Sequence, residues 1–161
     1  MMRVYSPDSI RFRINSFFVL TKPAIIRTLL ITTVPTMFVA EEGTPSLWLI
    51  IATMVGGSLA AAGANSFNMV LDADIDKKMN RTSNRPLVTG AITPKEATFF
   101  AFVLEIGAFI WLLSFVNLFS AFLAISATAF YVFVYTMWLK RSSTSNIVIG
   151  GAAGAVPVLI G

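Results

Sequence analysis

Asn68, Asp72 and Asp76 stand at i, i+4 and i+8 in the segment NMVLDADIDKKMNRTSNRPLVTG, with Lys77, Lys78, Arg81 and Arg85 following. On a helix this spacing puts the first three on one face, along roughly 12 Å of axis. Two carboxylates and an amide oxygen so placed form a hard-oxygen donor set suited to Mg²⁺ that bridges to phosphate. The carboxylates repel each other unless a cation lies between them, and the basic residues can neutralise phosphate charge that the metal leaves over. The chemistry expected is the binding of a diphosphate. Asp74, two residues from each aspartate, points the other way and is expected to cap the loop or support the ligands. The bland alternative, acids that merely balance the cations of a solvated loop, explains any one charge more readily than three groups at helical spacing beside an apolar helix.

The elements that must position these groups are membrane helices. Of 161 residues, 56% are hydrophobic and 12% charged, and the mean hydropathy is +0.77. A soluble domain carries about twice that charge. Apolar segments fall at about Pro23–Ala40, Leu47–Leu71, Ala97–Val116, Leu118–Leu139 and Ile147–Gly161. The first four approach the roughly 20 residues that span a bilayer. The fifth runs to the end of the chain through GGAAGAVPVLIG, as a helix cut partway. The expected fold is an all-α polytopic helical bundle of about four complete transmembrane helices and a truncated fifth. It is read as one integral-membrane domain over 1–161, the N-terminal part of a longer protein. Residues 1–22 form a cytoplasmic lead-in and 72–96 a cytoplasmic Asp-rich loop.

All 12 Lys and Arg lie before or at the opening of the first helix, between the second and third, or just after the fourth. The positive-inside rule puts those segments in the cytoplasm. The net charge of +4 is thus a matter of topology, and nucleic acid is not expected as a partner. The chain has no Cys and no His, which excludes disulfides, thiolates and imidazole ligands within these residues. Thr93-Pro94-Lys95-Glu96 reads as a helix start with Thr93 as N-cap and Pro94 at N1, and Pro86, Gly90 and Pro94 predict turns over Lys77–Pro94. In VGGSLAAAGANSFN the small residues allow close helix packing, whereas Asn65 and Asn68 need a partner or a cavity.

The pattern N-x-x-x-D-x-x-x-D followed by R-T-x-N-R-P-L resembles the first Asp-rich motif of the intramembrane aromatic prenyltransferases, the UbiA superfamily. LTKP, NRTSNRPLVTG and YTMWLKRSSTSNIVIGGAAGAVPVLIG resemble more narrowly its heme-farnesylating branch, from about Ser16 to Gly161. The resemblance implies a bundle whose central cavity opens to lipid and holds farnesyl diphosphate through Mg²⁺. Ionisation of the C–O bond would give an allylic cation that a vinyl group of heme B attacks, and water would then complete heme O. It also implies a multi-pass protein of the plasma (inner) membrane, associated with heme A synthase or oxidase assembly.

Residue by residue, Asn68, Asp72 and Asp76 match the family's metal–diphosphate motif, with Asp72 and Asp76 central to catalysis. Arg81 and Arg85 match the basic residues after it, with Lys77 beside them as a further diphosphate contact. Lys140 and Arg141 match a basic pair after the fourth helix, which topology explains equally well. The superfamily's second Asp-rich motif and the branch's later histidines are missing, as truncation would give, and the fragment is expected to be inactive alone. The family's Thr-Lys-Pro-Arg appears here with Ala24 after Pro23 and the arginine at Arg27.

Glu105 is the only acid well inside a predicted span, either functional or a bonded group facing the bundle. Phe99, Phe100, Phe102, Phe109, Trp111 and Phe115 could line an isoprenoid pocket, though packing or lipid contact is the commoner use of such rings. Tyr131, Tyr135 and Trp138 read as interface-belt residues. Two rivals remain: the same chemistry on another aromatic or tetrapyrrole acceptor, and, more distantly, an ion transporter. A transporter would place its charges at mid-bilayer in broken helices, rather than at a helix edge.

Overall fold

The computed structural model describes residues 10–142 and 155–160. Among them the structure is helical, with α1 (Ile10–Leu20), α2 (Pro23–Ala40), α3 (Leu47–Leu71), α4 (Ala73–Asp76), α5 (Pro86–Thr89) and α6 (Pro94–Phe115). The last long helix, α7, covers Leu118–Leu139. Helices α2, α3, α6 and α7 are long and apolar enough to cross a membrane, and the chain is a multi-pass membrane protein. Residues 155–160 are helical, while 147–154 and 161 of the expected fifth segment lie outside the described residues.

Local chemistry sets the ends of the long helices. Ser46 caps α3 by accepting from the Leu49 N–H at 3.1 Å. Thr93 and Glu96 form a reciprocal capping box at the start of α6, with Pro94 inside the first turn. This satisfies two of the donors that a helix start leaves unpaired. Asn117 caps α7 through the Ser120 N–H at 2.7 Å.

The centre of the bundle is the α3–α6 pair, the most extensive helix contact among the described residues. Small residues of α3 let the helices approach. A Cβ on Gly56 would collide with the Leu112 side chain, and the Trp111 indole N–H donates to the Ala52 carbonyl at 2.9 Å. Ala60, Ala108, Leu112, Ala121 and Ala124 bury together where α3, α6 and α7 meet. The outward faces remain apolar, with Phe99 at 72% exposure and Phe119 at 69%, as lipid contact requires.

Three features go beyond the sequence expectation. The 1–22 lead-in contains α1, which packs against α3 and α5 by burying Ser16 and Leu20. Its end at Thr21–Lys22 turns sharply because Lys22 adopts a left-handed conformation, φ 51. The helix carrying the aspartates breaks at Asp72 (φ −89, ψ −1) and resumes as α4. The second half of α7, Phe130–Leu139, is π-helical.

Candidate active site

The Asp-rich motif emerges where α3 ends, and cations from three separate stretches of chain converge on it. Asn68, Asp72 and Asp76 are all buried, at 3%, 2% and 4% exposure. Asp74 is exposed, because the one-residue break at Asp72 keeps the i, i+4 phase of the other two. The Lys22 ammonium donates to Asn68 Oδ1 at 2.6 Å, Lys140 pairs with Asp72 Oδ2 at 2.6 Å and Arg85 with Asp76 Oδ2 at 2.5 Å. Asn68 Nδ2 donates to Asp72 Oδ2 at 2.9 Å and to Thr136 Oγ1 at 3.1 Å.

The reach of each cation has a local cause. The left-handed turn at Lys22 ends α1 and opens α2, which turns its side chain back toward α3. Thr82, itself buried, donates to the Asp76 carbonyl at 2.8 Å, and the Arg85 N–H bonds the Thr82 carbonyl at 3.0 Å. These turns fold the loop so that Arg85 returns to the acid nine residues before it. In the π-helical stretch of α7 the Thr136 hydroxyl donates to the carbonyl of Tyr131, five residues back, at 2.9 Å. Such wide turns concentrate at functional sites; this one carries Thr136 to Asn68 and Lys140 to Asp72.

The cluster is crowded with positive charge. Burial, and then the neighbouring Arg85 guanidinium, lower the Lys22 pKa from 10.5 to about 8; Asp72 opposes this, Lys140 adds to it, and Asp76 opposes it. A dianionic group seated among Lys22, Arg85 and Lys140 would relieve that repulsion.

Directly beside the cluster lies a cavity of about 220 Å³ between α2, α3, α7 and residues 155–160, walled mainly by Ile, Leu, Ala and Val. Asn65, a turn before Asn68, and Tyr131 are part of its wall. Asn65 Nδ2 donates to the Thr21 carbonyl at 2.9 Å, so both asparagines of α3 find the partners that burial demands. The polar cluster thus sits at one end of an apolar cavity in the bundle.

Residues 29–161 match the UbiA prenyltransferase family. The chain belongs to that family. It is 49% identical over 156 residues to a protoheme IX farnesyltransferase of Mycobacterium sp. (strain KMS), covering 97% of this chain and 50% of that protein. A protein of the same name from Clavibacter sepedonicus is 51% identical over 147 residues, 91% of this chain and 48% of the relative. The Streptomyces avermitilis one is 54% identical over 149 residues, 92% and 49%. The chain spans about half the length of these curated relatives. No solved structure matches it.

UbiA prenyltransferases generally use a divalent metal. The residues present suit one: Asp72 Oδ1 is buried with no hydrogen-bond partner, a hard anionic oxygen left open beside Asn68. Among the described residues no three acidic side chains converge, and those at the motif are two carboxylates with an amide. The expected site residues divide. Asn68, Asp72, Asp76 and Arg85 come together, whereas Lys77 and Arg81 are exposed on the loop beside them. Two groups in contact with the motif were not among the expected site residues: Lys22 and Thr136. Lys140 is at the motif, where topology alone would not require it, and the Arg141 side chain lies outside the described residues. The signals for these three were LTKP and YTMWLKR, read from the sequence only as family marks. None of the α6 aromatics is in the cavity wall; Phe102 and Phe115 are 55% and 42% exposed. Tyr131, expected at the interface, lines the cavity, while Trp138 is 66% exposed.

Proposed function

We propose that the protein transfers a farnesyl group from farnesyl diphosphate to a vinyl group of heme B, giving heme O, at the cytoplasmic face of the plasma membrane. The observation that carries this reading is the convergence of Lys22, Arg85 and Lys140 on Asn68, Asp72 and Asp76 beside an apolar cavity. The names of the relatives support heme B as the acceptor.

Asn68, Asp72 and Asp76 would hold Mg²⁺, which supplies charge neutralisation for the departing diphosphate. Lys22, Arg85 and Lys140 exchange part of their contact with the acids for diphosphate oxygens. They stabilise charge that grows as the allylic C–O bond ionises. Lys77 and Arg81, exposed at the mouth, first attract the anionic substrate. Ile25, Ile26, Leu29 and Leu30 of the cavity wall enclose the isoprenoid chain and keep bulk water off the allylic cation. Heme B approaches from the bilayer. The greasy product gives a reason for association with heme A synthase or oxidase assembly, which co-purification would test.

Membranes containing the protein expressed from its complete gene, given labelled farnesyl diphosphate, should label a heme product when heme B is added and give no labelled product with 4-hydroxybenzoate. Label in the benzoate product alone would transfer the assignment to another acceptor.

A further inference from the structure

Glu105 lies in the middle of α6 at 6% exposure, outside the diphosphate site. Its Oε1 accepts from the Thr128 hydroxyl at 3.0 Å, and its Oε2 is buried with no hydrogen-bond partner. The bundle makes room for it. At Gly63 of α3 any Cβ would stand 2.5 Å from Oε1 and 2.9 Å from Cγ and Cδ. A carboxyl at this depth is costly to keep unless it is used. Thr128 is in the wall of the cavity, on the same face of α7 as Tyr131. A hydroxyl has one proton to give and two lone pairs. Thr128 gives its proton to Glu105, and a lone pair remains for a donor in the cavity.

The depth is also informative. Gly63 precedes Asn68 by five residues, which places Glu105 roughly 7.5 Å further into the bundle along the axis of α3. A chain tethered by its diphosphate at Asn68 and Asp72 has its first carbons at that level.

We propose that Thr128 and Glu105 form a proton relay that accepts the proton of the water completing the reaction, an inference that rests on the function proposed above. Once the vinyl terminus has bonded to the farnesyl carbon, the positive charge lies on the vinyl carbon attached to the porphyrin. The oxygen of a water bonded to Thr128 Oγ1 forms the new C–O bond there. One O–H bond of that water breaks and its proton passes to Thr128 Oγ1, while the Thr128 proton passes to Glu105 Oε1. The carboxylate ends as a carboxylic acid and the product as a neutral alcohol, with no redox change. Without the relay, the same cation loses a neighbouring C–H proton and ends as an alkene.

The test is the product ratio. The protein expressed from its complete gene, in membranes with heme B and farnesyl diphosphate, is compared as wild type, Glu105→Gln, Thr128→Val and Thr128→Ser. The farnesylated hemes are separated by mass into the alcohol and the form lighter by one water. Glu105→Gln and Thr128→Val should lower the alcohol-to-alkene ratio on the order of tenfold or more, and Thr128→Ser should keep it near wild type. A ratio of products does not move when a variant merely folds less well. Wild-type ratios in both Glu105→Gln and Thr128→Val would overturn the relay and leave farnesyl transfer standing. A wild type that makes no farnesylated heme would overturn the functional reading and the relay with it.

Discussion

At the scale of single residues, Asp76 and Asp72 are held in ion pairs with Arg85 and Lys140. Arg85→Ala would leave Asp76 buried with one oxygen stripped of its partner. The expected cost is about 1–3 kcal/mol, below that of a fully buried pair because the Arg85 side chain is 27% exposed. Thermal unfolding in detergent measures it. If Asp76 is a metal ligand, added Mg²⁺ should raise the melting temperature of Arg85→Ala more than that of wild type. Equal gains would argue that the pair is purely structural. Thr136→Ala removes one of the two acceptors of Asn68 Nδ2 and should cost about 1 kcal/mol, with weaker farnesyl diphosphate binding in a titration. The i, i+4, i+8 spacing made Asn68, Asp72 and Asp76 legible because helix periodicity is local. Lys22 and Lys140 were not legible as site residues: they lie 46 and 68 residues from their partners, and only the folded helices bring them close. Lys77 and Arg81 are exposed on the loop, while the Thr82 turns bring Arg85 back to Asp76.

At the scale of elements, the long helices were legible from apolar run length and flanking turn residues. Pro23–Ala40 and Leu47–Leu71 match their expected bounds. The short elements were not: α1 buries Ser16 and Leu20 against its neighbours, and the π-helical stretch carries Thr136, which accepts from Asn68 of α3. Glycines on the two central helices give a sharp contrast. Gly63→Ala drives a methyl into Glu105 and should destabilise by about 1–3 kcal/mol. Gly107→Ala on α6 meets nothing within 4 Å and should be neutral or stabilising by roughly 0.5–1 kcal/mol through backbone entropy. Melting curves of the two variants in one detergent would show the difference; similar values would mean that α3 and α6 are not packed as described.

At the scale of the whole molecule, cations from the N-terminal stretch, the α3–α6 loop and the end of α7 gather at one end, whereas the loop at Glu41–Ser46 carries none. These 161 residues contain no cysteine, so topology can be read by single-cysteine labelling once any cysteine elsewhere in the full-length protein is replaced by serine. Glu42→Cys should react with a membrane-impermeant maleimide in intact cells, and Ser83→Cys only after the membrane is opened. Reversed labelling would put the Asp-rich end outside and separate it from cytoplasmic farnesyl diphosphate. On the proposed function, this end binds a prenyl diphosphate through a divalent ion. Calorimetric titration of the protein from its complete gene with a non-ionising farnesyl diphosphate analogue tests it most directly. The proposal predicts saturable binding that requires Mg²⁺ and weakens on the order of 100-fold, about 2.7 kcal/mol, in Asp72→Ala and in Asp76→Ala. Binding of equal strength without Mg²⁺, or in both variants, would contradict it.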